Sequence, residues 1–130
     1  MAAGLVLTGH RDGARLFYAG WTGFAIFGTI AWLEGHAAIG YAAFHIGVAA
    51  VICAWYTMTA GRTATIAGLI LGLLFLAQMG LFLVSDLVTT DDHHSLTTTL
   101  EDAFGLLAAL SIVAGSVLGL RRHEVSRVIR

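Results

Sequence analysis

The sequence predicts an all-α integral membrane protein: an up-down-up-down four-helix bundle, one domain over residues 1–130, with both termini in the cytoplasm. Three observations predict it. First, four stretches free of charged side chains (16–33, 35–61, 63–85 and 103–120) run for 18 to 27 residues each. A helix rising about 1.5 Å per residue needs roughly 20 residues to cross a bilayer's hydrocarbon. Backbone N–H and C=O groups find no partner in lipid, so a spanning segment is a helix or belongs to a closed barrel. These runs are too long and too continuously apolar for barrel strands, which alternate over about ten residues. Second, the charges segregate. Arg11, Arg15, Arg62, Arg121, Arg122, Arg127 and Arg130 fall on one side of the implied topology, and Glu34, Asp86, Asp91, Asp92, Glu101 and Asp102 on the other. Short arginine-bearing segments stay cytoplasmic. Third, turn and cap residues separate the apolar runs.

Span one, about 15–34, follows Arg11 and Arg15 and is studded with Gly20, Gly23 and Gly28. The preceding Met1–Leu7 segment is apolar rather than basic, which does not read as a cleavable signal. It is too short to span and reads as an interfacial or frayed end. Gly35 ends span one and opens a connection of a few residues, the length that makes antiparallel neighbours. Span two, about 36–60, carries Gly40, Gly47 and many alanines, and Gly61 reads as its left-handed cap. Span three, about 63–86, is capped by Thr63 and contains the G-x-x-x-G pair Gly68–Gly72. Span four, about 98–121, opens on Thr98 and Glu101 as a capping box with Asp102 beside it, and carries Gly115–Gly119. Tyr18, Trp21, Trp55 and Tyr56 are expected at the cytoplasmic interface, and Trp32 and Tyr41 at the outer one. The chain has no proline, so no kinked or broken span is expected. The small residues are expected to bring helices of one bundle together, with dimerisation through one such face as the alternative.

Candidate chemistry is sparse. His45 is the costly residue, because ionisable groups within a span are rare and turn toward the bundle interior. It lies roughly 12 Å from the outer end by helix rise, and Gln78 of span three roughly 10 Å. His45, Gln78 and the somewhat shallower Thr29 are expected to share a polar layer, with His45 bonded to Gln78 or to a backbone carbonyl. A haem anchor needs two histidines at similar depth on facing helices, and only His45 lies within a span. At the outer side, His36, Asp91, His93 and His94, with Glu34, offer carboxylates and imidazoles suited to Zn²⁺ or Cu²⁺, in no established zinc spacing. Cys53 is a lone thiol in span two, which excludes an intrachain disulfide and a CxxC motif. Ser111 and Ser116 are expected to bond within their own helix. No G-x-S-x-G elbow, H-E-x-x-H or phosphate loop occurs. The balance of charge offers no nucleic-acid surface.

The run Ala42-Ala43-Phe44-His45-Ile46-Gly47-Val48, the Gly61-Arg62 turn, a glycine-rich span three, the acidic opening of span four and Arg121-Arg122 resemble a family of small four-span actinobacterial membrane proteins of unknown function. The resemblance runs over residues 38–122. It departs from the family pattern in three places. Ala42 and Ala49 stand where the family carries an Asn and a Gly, and Phe104 and Gly105 stand where it carries a second histidine. It implies the architecture and no chemistry.

The functional expectation is a cell-membrane, multi-pass protein without a catalytic site or cofactor, in an accessory or structural role. Its expected partners are the bilayer and either a second copy or another membrane protein. The alternatives are an oligomeric small-solute or proton channel using His45 and Gln78, and a metal- or haem-binding module.

Overall fold

The computed structural model describes residues 2–59, 62–88 and 96–129, with side chains over 13–59, 62–88 and 98–121. Four helices account for nearly all of it: α1 (Ala2–Leu33), α2 (Ile39–Thr59), α3 (Arg62–Val88) and α4 (Leu96–Ile129). Each contains a segment long and apolar enough to cross a membrane: Gly13–Leu33, Ile39–Thr59, Arg62–Val88 and Thr98–Arg121. The Ala2–Leu7 stretch continues α1 rather than fraying from it. Gly61 and the 89–95 segment lie outside the described residues.

The α1–α2 turn is built as the sequence requires. Gly35 has φ +77°, a left-handed conformation that side chains with a Cβ resist. Its N–H donates to Trp32 O at 3.0 Å, and the His36 N–H donates to Ala31 O at 2.9 Å. That pair of bonds is a Schellman motif, which satisfies two of the helix's last carbonyls.

Side-chain contacts define the direction of each helix. Gly20 meets Ala108 and Ile112, and Gly13 meets Gly115 and Leu118, so α1 and α4 are antiparallel. Thr65 lies against Gly119 and Met79 against Gly105, which runs α3 antiparallel to α4. Tyr18 bonds Thr57 at 2.6 Å while Gly28 faces His45, setting α2 antiparallel to α1. The α1–α4 pair is the most extensive, followed by α3–α4 and α1–α2; α2 and α3 barely meet. The bundle is therefore a ring with one seam left open.

Small residues make the close approaches. A Cβ on Gly20 would sit 2.6 Å from Ile112, and one on Gly72 would sit 2.5 Å from the same side chain. Ile112 of α4 is thus wedged between α1 and α3. Gly115 is tighter still, because its Cβ would lie 2.5 Å from the backbone nitrogen of Phe17 and 2.7 Å from Gly13 O. Gly68, Gly72 and Gly115 thus serve contacts inside one bundle. On α2 the opposite holds, since Gly40 and Gly47 have nothing within 4 Å. With Ala43, Ala50 and Ala54 they form an exposed stripe of small residues at spacings of three and four.

The centre is filled by Phe17, Trp21, Phe24, Phe75, Met79 and Ile112. Aromatic edges bridge the diagonal between α1 and α3, with Phe24 and Phe75 rings 4.6 Å apart at 89°. Trp21 corrects the interfacial expectation, because it is fully buried in this core. Its Nε1–H has no hydrogen-bond partner among the described residues, a cost of about 1–3 kcal/mol. Ser116 is a second correction: its hydroxyl is buried without the intrahelical bond expected of it. Thr29 does make such a bond, to Ala25 O at 2.9 Å.

Candidate functional site

Two features stand out near the acidic end of the bundle, one at its rim and one deeper inside. The rim is a vestibule of about 590 Å³ lined from all four helices, including His36, Tyr41, Asp86, Glu101 and Asp102. The Gly35 turn presents Glu34 and His36, and the first turns of α4 present Glu101 and Asp102.

Glu34, His36 and Glu101 each bring one ligand-type atom within 4.8 Å of the others. His36 Nδ1 lies 3.8 Å from Glu34 Oε2 and 3.6 Å from Glu101 Oε2. Those separations exceed the 2.7–3.2 Å of a good hydrogen bond. They approach the roughly 3.3–3.6 Å between two ligands of a tetrahedral ion held at about 2.0–2.2 Å. Glu101 is the least exposed of the three, with 13 % of its side chain accessible. Its Oε1 is buried without a hydrogen-bond partner among the described residues. A carboxylate oxygen shielded in that way accepts a hydrogen-bond donor or a cation.

Beside this triad the carboxyl groups of Asp86 on α3 and Asp102 on α4 adjoin one another at the rim. Both residues revise the capping account of Glu101 and Asp102. The α4 helix begins at Leu96, which puts Thr98 inside its first turn. Glu101 turns instead to His36, and Asp102 to Asp86. Of the metal ligands expected from sequence, His36 joins the triad with Glu34, while Asp91, His93 and His94 lie outside the described residues.

The deeper feature is His45. It is 3 % exposed and points into the bundle. Its Nδ1 is 2.8 Å from Tyr41 O, the carbonyl one turn back on its own helix. A carbonyl only accepts, so Nδ1 carries the hydrogen and the neutral ring holds its lone pair on Nε2. Aromatic rings surround it: Tyr41 with centroids 4.1 Å apart, Phe24 stacked at 4.4 Å and Phe44 at 5.6 Å. Gly28 makes room on α1, where a Cβ would sit 2.5 Å from both Cβ and Cγ of His45.

Gln78 shares the depth of His45 but not its burial. It is exposed, and the expected polar layer of His45, Gln78 and Thr29 is replaced by three separate arrangements. At 100° per residue, Gln78 stands roughly 90° off the centre of the α3 face that buries Gly68, Gly72, Phe75 and Met79. That flank looks toward α2, where His45 and Gln78 line one cleft of about 400 Å³ in the open α2–α3 seam.

Sequence reasoning missed the parts played by Asp86, Glu101 and Asp102 at the rim. The available signal was their shared end of the bundle with Glu34 and His36. Comparison with family models, with curated proteins and with solved structures gives no match to this chain.

Proposed function

We propose that this chain is a multi-pass protein of the cell membrane, with both termini in the cytoplasm, that binds a divalent transition-metal ion at its outer face. It acts by binding, as an accessory membrane protein rather than an enzyme. The membrane reading is supported by the outward surface. Leu33, Phe44, Val51, Met58, Leu74, Leu81 and Leu107 are among its large exposed side chains, and so much exposed apolar surface is accommodated poorly by water and well by lipid. The orientation is supported by the arginines, all of which fall in the sequence before span one, between spans two and three, or after span four.

The observation that carries the metal reading is the convergence of Glu34, His36 and Glu101 from two sequence-distant segments onto one point. Two carboxylates and an imidazole are a donor set suited to Zn²⁺. The neighbouring Asp86 and Asp102 add acidic groups around the ion. Conduction through His45 is less well supported, because bulky Phe17, Trp21, Ile52 and Ile112 fill the core beyond it toward the arginine end.

Titration of the detergent-purified protein with Co²⁺ tests this. Saturable ligand-field absorption at one ion per chain is expected, reversed by Zn²⁺ and weakened by acidification as protons compete for the ligands. His36→Ala and Glu101→Gln should each weaken binding by roughly tenfold or more. An absence of saturable binding, or wild-type affinity in His36→Ala, would overturn the proposal. His93→Ala with His94→Ala measures whether the 89–95 segment supplies a further ligand.

A further inference from the structure

We infer that the α2–α3 cleft binds the headgroup of a membrane-soluble quinol, whose phenolic O–H donates to Nε2 of His45. This inference rests on the membrane reading above but not on the metal site. Its starting point is a polar atom with a defined chemical role. His45 is 3 % exposed and lines the cleft, and its Nδ1–H is committed to Tyr41 O, which leaves Nε2 as the ring's acceptor. A hydroxyl donor matches that acceptor.

The cleft selects the rest of the ligand. Its volume of about 400 Å³ falls in the range of small-molecule sites. Its walls combine Phe24, Tyr41, Phe44 and Phe75 with Gln78 at the edge, so a flat ring finds faces and edges to pack against. The Gln78 amide, exposed on the cleft's flank, can donate to or accept from a second oxygen across the ring. Because α2 and α3 scarcely touch, the cleft opens sideways, where a ligand dissolved in the bilayer meets it directly. Phe44 and Leu74, 62 % and 64 % exposed, flank that opening and give an isoprenoid tail an apolar surface to lie along. A planar dihydroxy ring on an apolar tail satisfies all of these features together. The inference concerns binding, and no electron transfer is assigned.

The test uses the full chain in detergent, with Trp32→Phe and Trp55→Phe leaving the buried Trp21, which lines the cleft, as the only reporter. Titration under reducing conditions with a short-tailed benzoquinol should quench Trp21 saturably. The matching dimethyl ether, which has the same ring but no donor, should bind roughly tenfold more weakly, as expected for a lost bond to a buried acceptor. His45→Leu should erase the difference between the two ligands, Gln78→Leu should weaken the quinol a few-fold, and His36→Ala should change nothing. Equal affinity for quinol and ether in the wild-type background would overturn the inference even if His45→Leu failed to fold. So would a preference for quinol that survives in His45→Leu. A chain that stayed folded and monomeric without detergent would instead refute the membrane reading on which the inference stands.

Discussion

Gly28→Ala is the substitution to which the α1–α2 interface is most directly sensitive. The added Cβ would lie 2.5 Å from both Cβ and Cγ of His45, whereas carbon atoms rest at about 3.5–4.0 Å. The two helices must therefore separate by about 1 Å at this level. They are not free to do so, because the Gly35 turn ties one end and the Tyr18–Thr57 bond of 2.6 Å ties the other. Overpacking of this kind costs about 1–3 kcal/mol, and replacing a helical glycine by alanine returns about 0.5–1 kcal/mol. The expected net loss is about 0–2.5 kcal/mol, centred near 1 kcal/mol, which is a factor of roughly 5 in the unfolding equilibrium. Titration into SDS from mixed micelles, followed by circular dichroism, reads this directly. Gly47→Ala is the control, since that position has open space and should be neutral or slightly stabilised. The contact geometry also makes a sharper demand. Adding His45→Ala should not restore Gly28→Ala, because the Cβ–Cβ overlap remains, whereas adding His45→Gly should restore part of the loss. Equal stability of Gly28→Ala and Gly47→Ala would refute the reasoning.

Two further outcomes follow from the same packing. Gly115→Ala should be more damaging than Gly28→Ala in the same SDS titration, because its Cβ meets the backbone of Phe17 and Gly13 rather than a side chain that can turn. At the rim, Asp102→Asn should retain a contact with Asp86, since the amide N–H can donate to that carboxyl group. Asp102→Ala should cost about 1 kcal/mol of stability in that assay, and equal midpoints for the two variants would show that the carboxyl pair contributes nothing.

The sequence by itself determined the four helices and their approximate ends. Each run of uncharged residues is long enough to span, and the left-handed Gly35 terminates the first where a glycine was needed. It also determined that His45 would turn inward, because an ionisable group surrounded by apolar neighbours has few other places to go. The glycine pairs announced close packing but not their partners. Gly68 and Gly115 both close on Phe17, while Gly40 and Gly47 face outward, and nothing in their spacing distinguishes the two cases. Trp21 misleads in the same way, since its place near a span end fits an interface as well as the core it occupies.

Only the tertiary structure decided which polar groups meet. Hydrophobic periodicity fixes the angle of a side chain about its own helix but carries no information about the rotation and order of the helices around it. Gln78 is near His45 in depth yet lies on a flank, because α3 turns Phe75 and Met79 inward. Glu101 and His36 are separated by half of the chain, and they come together because α1 packs antiparallel to α4 and the Gly35 turn folds back over that end. The cluster of Glu34, His36 and Glu101 and the open seam are products of how four independently legible helices pack.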